Sequence, residues 1–263
     1  MSAPDAKQES QIVPKLIERL QDGEVREVRI GLHWTAVVAQ VKGRFRCGLC
    51  STLSGPHEHG PTPQVPKAGN LARMSGKDLA AHANPGNSPT MTSVGVAAIN
   101  ALLPPPPEEL CFEVNAEDIL ASQGKDKRVV VVGHFPFIPR LREKVGRLDV
   151  LELRPREGDH EADAAPELLP QAEVVAITSM SLANHTFEEL LGLCAPEAIV
   201  MMLGPSTPLS PMLFEHGVHL LSGSVVEAVG PVLDTISQGA HFRQVHRAGV
   251  RLVTMAPPSR AAG

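Results

Sequence analysis

The chain has 263 residues, 43% of them hydrophobic, with a formal net charge of −5 and 3% aromatics; that length supports one large or two modest domains, and the mild acidity and scarce aromatics argue against a nucleic-acid partner. No apolar run approaches the ~20 residues that span a bilayer, and Met1–Ser10 lacks the apolar centre of a secretory signal, so a cytoplasmic protein with no membrane partner is expected. Four cysteines do not make a disulfide framework in a chain this long, and a close pair in a reducing compartment points to metal or redox chemistry.

Residues 1–10 are polar and read as a disordered tail. From Ile12 to Leu20 the apolar residues fall at the spacing of an amphipathic helix. Val25–Val41 is rich in β-branched residues, with a break near Gly31–Trp34, and Lys42-Gly43 reads as a hairpin turn into Arg44–Cys50. Gly55–Gly69 carries four prolines and reads as a loop. Gly76–His82 and Ser88–Leu103 read as helices, and Pro104–Pro107 must end the second, because proline lacks the amide donor and clashes with the preceding turn.

Beyond a helix over Ala116–Gln123, capped by Asn115, the pattern changes. Short apolar runs are expected as strands at Val129–Val132, Val150–Leu153, Val174–Ile177, Ile199–Leu203, Val218–Leu221 and Val250–Thr254. Helical segments separate them at Ile138–Val145, Thr186–Leu193, Pro211–His216, Val225–Ser237 and Ala240–Arg247. Such alternation indicates a parallel sheet covered on both faces. The expected fold class is α/β: a Rossmann-like parallel sheet domain over residues 108–263, preceded by a smaller α+β domain over 11–107.

Two segments share one layout, a strand that ends in a loop rich in glycine, proline or hydroxyls: Val129–Pro136 and Met201–Gly217. In open parallel sheets ligands bind outside the carboxyl ends of such strands. His134 follows the first strand, where it can serve as ligand or base, or simply bond a neighbouring carbonyl. The run Gly133-His134-Phe135-Pro136-Phe137-Ile138 lacks the second and third glycines of G-x-G-x-x-G, which disfavours NAD. Glu152 lies about twenty residues after Gly133, where nucleotide binders place a carboxylate on a ribose; pairing with Arg154 is the simpler explanation. Thr178 and Ser179 follow the third strand, with Ser181 or Asn184 able to cap the next helix. Gly204, Ser206 and Thr207, with Ser210, follow the fourth, where amides and hydroxyls suit an anion at a helix start.

Cys47-x2-Cys50 followed by His57-x-His59 has the donor types of a four-coordinate zinc site. Against it, two residues three apart on a strand face opposite ways. Glu215, His216 and His219 look like ligands, but Gly217 as a left-handed cap and His216 in a last helical turn explain them without metal.

Val132-Gly133-His134-Phe135-Pro136, Glu157-Gly158-Asp159, Leu168-Leu169-Pro170, Gly204–Pro211, Leu213–Val218 and Leu221-Ser222-Gly223 together resemble the putative heavy-metal chelation family. Ser93–Ala101 resembles a helix of that family's N-terminal domain. The resemblance implies an enolase-N-terminal-like domain joined to the Rossmann-like one, with a cleft between them that binds a heavy metal or a metal-bound small ligand. It also implies a transition metal as cofactor or cargo, with His134 a candidate metal ligand; the Cys47, Cys50, His57 and His59 group is a candidate by its donor types alone, since the resemblance does not include these cysteines. The alternative is an enzyme acting on a nucleotide-like or anionic metabolite with His134 as acid/base. The expected partners are thus a small molecule or metal, with a homo-oligomer left open.

Overall fold

The computed structural model describes residues 11–55 and 63–258. The expected tail over residues 1–10, and His57 and His59 in the proline-rich loop, lie outside the described residues. Two sheets form, one of three strands and one of eight.

The small sheet is a meander of β1 (Glu24–Ile30), β2 (Trp34–Val41) and β3 (Arg44–Ser51), each antiparallel to the next. Helix α1 (Ile12–Glu18) precedes it; α2 (Gly76–Ala80) and α3 (Pro89–Leu102) follow. Ser75 and Ser88 cap α2 and α3 by accepting from the amides of Asp78 and Met91 at 3.1 and 3.2 Å, and Pro89 in the first turn of α3 forfeits only an amide that would lie unpaired there. The β-branched residues of β2 are buried on both sides. Val37, Ala39 and Val41 join the core with α3, while Trp34, Ala36 and Val38 pack against Val232, Leu233 and Ile236.

Close approach of α3 to β3 depends on small residues. A Cβ on Gly48 would stand 2.2 Å from the Ala97 carbonyl oxygen and 2.3 Å from the Ala101 amide nitrogen. The small residues of Ser93–Ala101 are therefore a packing requirement as well as a family likeness.

The large sheet is formed by β4 (Cys111–Phe112), β5 (Arg128–Val132), β6 (Arg147–Glu152), β7 (His160–Glu161), β8 (Val174–Thr178), β9 (Ile199–Leu203), β10 (Leu220–Val226) and β11 (Val250–Met255). Its order is β4-β11-β10-β9-β8-β5-β6-β7. All neighbours from β10 to β7 run parallel. Numbered from β5, these six strands follow the 3-2-1-4-5-6 order of a doubly wound sheet, and the order reverses between β5 and β8. The helices are α4 (Ala116–Gln123), α5 (Ile138–Arg142), α6 (Ala165–Leu168), α7 (Met180–Ala183), α8 (Phe187–Leu193), α9 (Val229–Ser237) and α10 (Phe242–Arg247). Val129, Val131 and Val150 face the cluster with Leu120, Ile138 and Leu141, whereas Val130, Val175 and Ile177 join the core shared with the small sheet. The strands read as continuous apolar runs because both faces are covered.

Three expectations change. β11 runs antiparallel to β10. The chain between them does not cross the large sheet; α9 covers the outer face of the small one, so it returns to the edge it left. Val225 and Val226 extend β10, pairing with Arg251 and Val250, and the helix begins at Val229. Pro211–His216 is a 3-10 helix, ended by Gly217 at φ 87°. Among the described residues no helix is long and apolar enough to cross a membrane.

The Gly48 contact yields a sharp contrast. Gly48→Ala must push two backbones apart, and chemical denaturation should show a loss of at least ~3 kcal/mol. Gly192→Ala on α8 meets nothing within 4 Å and should gain up to ~1 kcal/mol by reducing backbone freedom. A mild effect at Gly48 would contradict the packing described.

Candidate functional site

Strand β5 ends at Val132 and is followed by Gly133, whose φ of 100° suits glycine. The Gly133 amide still donates to the Leu151 carbonyl at 2.8 Å, so the ladder with β6 continues into the turn. The next amide, that of His134, donates to Glu152 Oε2 at 2.8 Å. Glu152 Oε1 accepts from the amides of Leu153 and Arg154 at 2.8 and 3.3 Å. One carboxylate therefore binds three backbone donors from two loops.

This fixes the side chain of His134. Its Nδ1 lies 2.8 Å from Asp159 Oδ2, with side-chain exposures of 16% and 2%. A carboxylate only accepts, so Nδ1 donates and the neutral imidazole keeps its lone pair on Nε2. Asp159 is held by the amide of Arg156 at 3.1 Å, in a turn where Gly158 takes φ 86°.

A cavity of about 710 Å³ opens beside this pair at the point where strand order reverses. That is the size of a small-molecule site, roughly 300–1,000 Å³. Val132, Phe135, Leu151, Met180, Leu190 and Leu193 supply apolar wall; His134, Glu152, Thr178, Ser181, Asn184 and Thr186 supply polar groups.

The candidate residues divide. His134, Glu152 and Thr178 line this cavity; Ser179, Gly204, Ser206 and Thr207 do not. Ser179 is buried, and its amide donates to the Leu203 carbonyl at 2.7 Å. Ser206 is buried, its hydroxyl accepting from the Ser51 amide at 3.0 Å and pointing at Met180 Sδ at 3.6 Å. Thr207 donates to the Gly204 carbonyl at 2.7 Å and faces a separate crevice of about 200 Å³ between the sheets. Gly204 faces a third space, of about 240 Å³, with Phe135, Phe137 and Phe242. Of the hydroxyls expected to hold an anion, that of Ser206 instead ties the β9 loop to the small sheet, and that of Thr207 closes the loop on itself. Glu152 lines the cavity, but its carboxylate secures loops rather than standing ready for a ribose. The cavity meets the chain before β4 at Leu53, so the remainder of its lining comes from the large-sheet half of the chain.

The cysteine pair does not converge. On β3, Cys47 packs with Trp34, Leu49 and Val232, while Cys50 is in the core shared with α3. Burial pushes each thiol up to about 12, the reverse of the lowered value a metal-ligating thiol needs. Among the described residues no group of three or more His, Cys, Asp or Glu can hold a metal ion. A bare ion therefore finds a single oriented imidazole in the cavity.

Asp159 carries a role the sequence did not assign. Its signal was there, in the Glu157-Gly158-Asp159 turn after the second strand, but nothing local shows that this turn folds back onto the β5 loop.

Two family models match the chain, DUF364 over residues 115–255 and DUF4213 over residues 13–103, and both are described as putative heavy-metal chelation. The fold is similar to that of a DUF364-family protein of unknown function from Desulfitobacterium hafniense, at 26% identity and TM-score 0.73, covering 94% of this chain and 97% of that one. It is also similar to one from Pyrococcus horikoshii, likewise of unknown function, at 19% identity and TM-score 0.74, covering 94% and 98%. No curated protein matches the chain.

The thiol environments predict reactivity. In native protein at pH 8, Cys50, which is fully buried, should resist a thiol reagent and react only on unfolding. Rapid native labelling of Cys50, mapped by mass spectrometry, would contradict its burial.

Proposed function

Since the chain belongs to the putative heavy-metal chelation family, we propose that it binds a metal-bound small ligand in the cavity beside His134, with Nε2 of His134 completing the metal's coordination. The His134–Asp159 pair carries this reading. Metal-ligating histidines commonly donate their second ring N–H to a carboxylate, which fixes the tautomer and raises the basicity of the ligating nitrogen. The cavity volume supports an organic body around the metal, and the absence of a three-donor cluster among the described residues disfavours a bare ion. The Cys47, Cys50, His57 and His59 set is not part of this reading, because its two thiols point to opposite sides of β3.

Equilibrium dialysis of untagged protein tests it, with nickel(II) alone and with nickel(II) complexes of bipyridine and of citrate. At least one complex should bind at one per chain and more tightly than the free ion. His134→Ala should abolish that binding. Asp159→Asn keeps the ring but changes its partner, and should weaken binding about 10- to 100-fold. Binding of a complex that is unchanged in His134→Ala, or binding of neither complex, would overturn the reading.

A further inference from the structure

The walls of the cavity narrow the charge of what enters it. Its lining includes three acids, Glu152, Asp163 and Glu189, and neither lysine nor arginine. Glu152 is occupied by its three amides. Asp163 and Glu189 are exposed, and among the described residues the side chain of neither has an ion pair or hydrogen bond. Arg154 and Arg156, on the connection from β6 to β7, do not line the cavity.

The sheet edge adds a second, independent observation. In nucleotide-binding sheets the amides after the first strand and at the next helix start hold the phosphates. Here the amide of Gly133 after β5 donates to Leu151, that of Ser179 after β8 to Leu203, and that of Gly204 after β9 to Ser222, at 2.8, 2.7 and 3.0 Å. The next amide of the β5 turn, on His134, is taken by the Glu152 carboxylate. An anionic group at the Gly133–His134 step would find both of these amides taken and would face the Glu152 carboxylate.

We infer that the cavity selects a cationic metal complex, one whose metal is held by neutral nitrogen donors on an apolar body, and discriminates against chelates carrying carboxylate or phosphate groups. The inference rests on the reading of the cavity as a site for a metal-bound ligand. The apolar walls take the body, Nε2 of His134 meets the metal, and the exposed carboxylates attract the net positive charge.

Calorimetric titration of the full chain compares nickel(II)–bipyridine, which is cationic, with nickel(II)–citrate, which is anionic. The bipyridine complex should bind at least tenfold tighter and weaken as salt rises, since exposed charges are screened. Asp163→Asn and Glu189→Gln should each lower its affinity about two- to fivefold, the scale of exposed charge pairs, without lowering that for citrate. Both positions are exposed, so the fold should persist, and salt dependence checks the same point without a variant. Equal or tighter binding of citrate would overturn the charge assignment while leaving the metal-ligand reading intact. A bipyridine preference that neither salt nor either variant changes would also overturn it. Binding of neither complex would overturn both.

Discussion

Glu152 closes the carboxyl edge of the large sheet beside β5 and β6. Its two oxygens accept from the amides of His134, Leu153 and Arg154, joining the turn after β5 to the turn after β6. Of these amides, that of His134 is part-buried and would otherwise need a partner. Because hydrogen bonds to a charged acceptor exceed neutral ones in strength, the β5 turn is held without the glycine-rich cradle of nucleotide-binding sheets. Gly133 supplies the backbone freedom, Glu152 supplies the grip, and the imidazole of His134 is left on the cavity wall where Asp159 orients it.

The same economy of donors appears where the sheets meet. The side-chain amide of Asn100 on α3 donates to the carbonyls of Leu49 and Ser206, at 2.9 and 3.0 Å. Ser206 answers by accepting from Ser51. Glu188 on α8 accepts from the amides of Gln11 and Ile12 at the start of α1, a carboxylate at a helix N-terminus as the helix dipole favours. One apolar core runs from Ile12 and Leu16 through α3 to Val175, Met202 and Met255. The sheets therefore share a core, and the ligand-sized cavity lies along the carboxyl edge of the large sheet rather than between them.

The fold was legible wherever a period or a breaker recorded it. Continuous valines marked β5, and Pro104–Pro107 marked the end of α3. The direction of β11 was not, because an apolar run has no polarity; α9 set it by covering the small sheet. At the site, position after a strand identified His134 and Thr178 as cavity residues. The same rule also selected Ser179, Ser206 and Thr207, which do not line that cavity, since a hydroxyl in a loop reads alike whether it faces a cavity or a neighbouring backbone. Asp159 was invisible as a partner because its contact with His134 spans 25 residues and depends on a turn bent by Gly158. The capture of the His134 amide by Glu152 likewise depends on Glu152 folding back, which no spacing announces.

The most direct test is where the metal sits. Crystals soaked with nickel(II)–bipyridine, measured at the nickel absorption edge, should show an anomalous peak inside the cavity at about 2.0–2.1 Å from His134 Nε2, as for metal–imidazole bonds. The peak should vanish in His134→Ala. A metal peak away from His134, whether on the cysteines of β3 or elsewhere on the surface, would contradict the account.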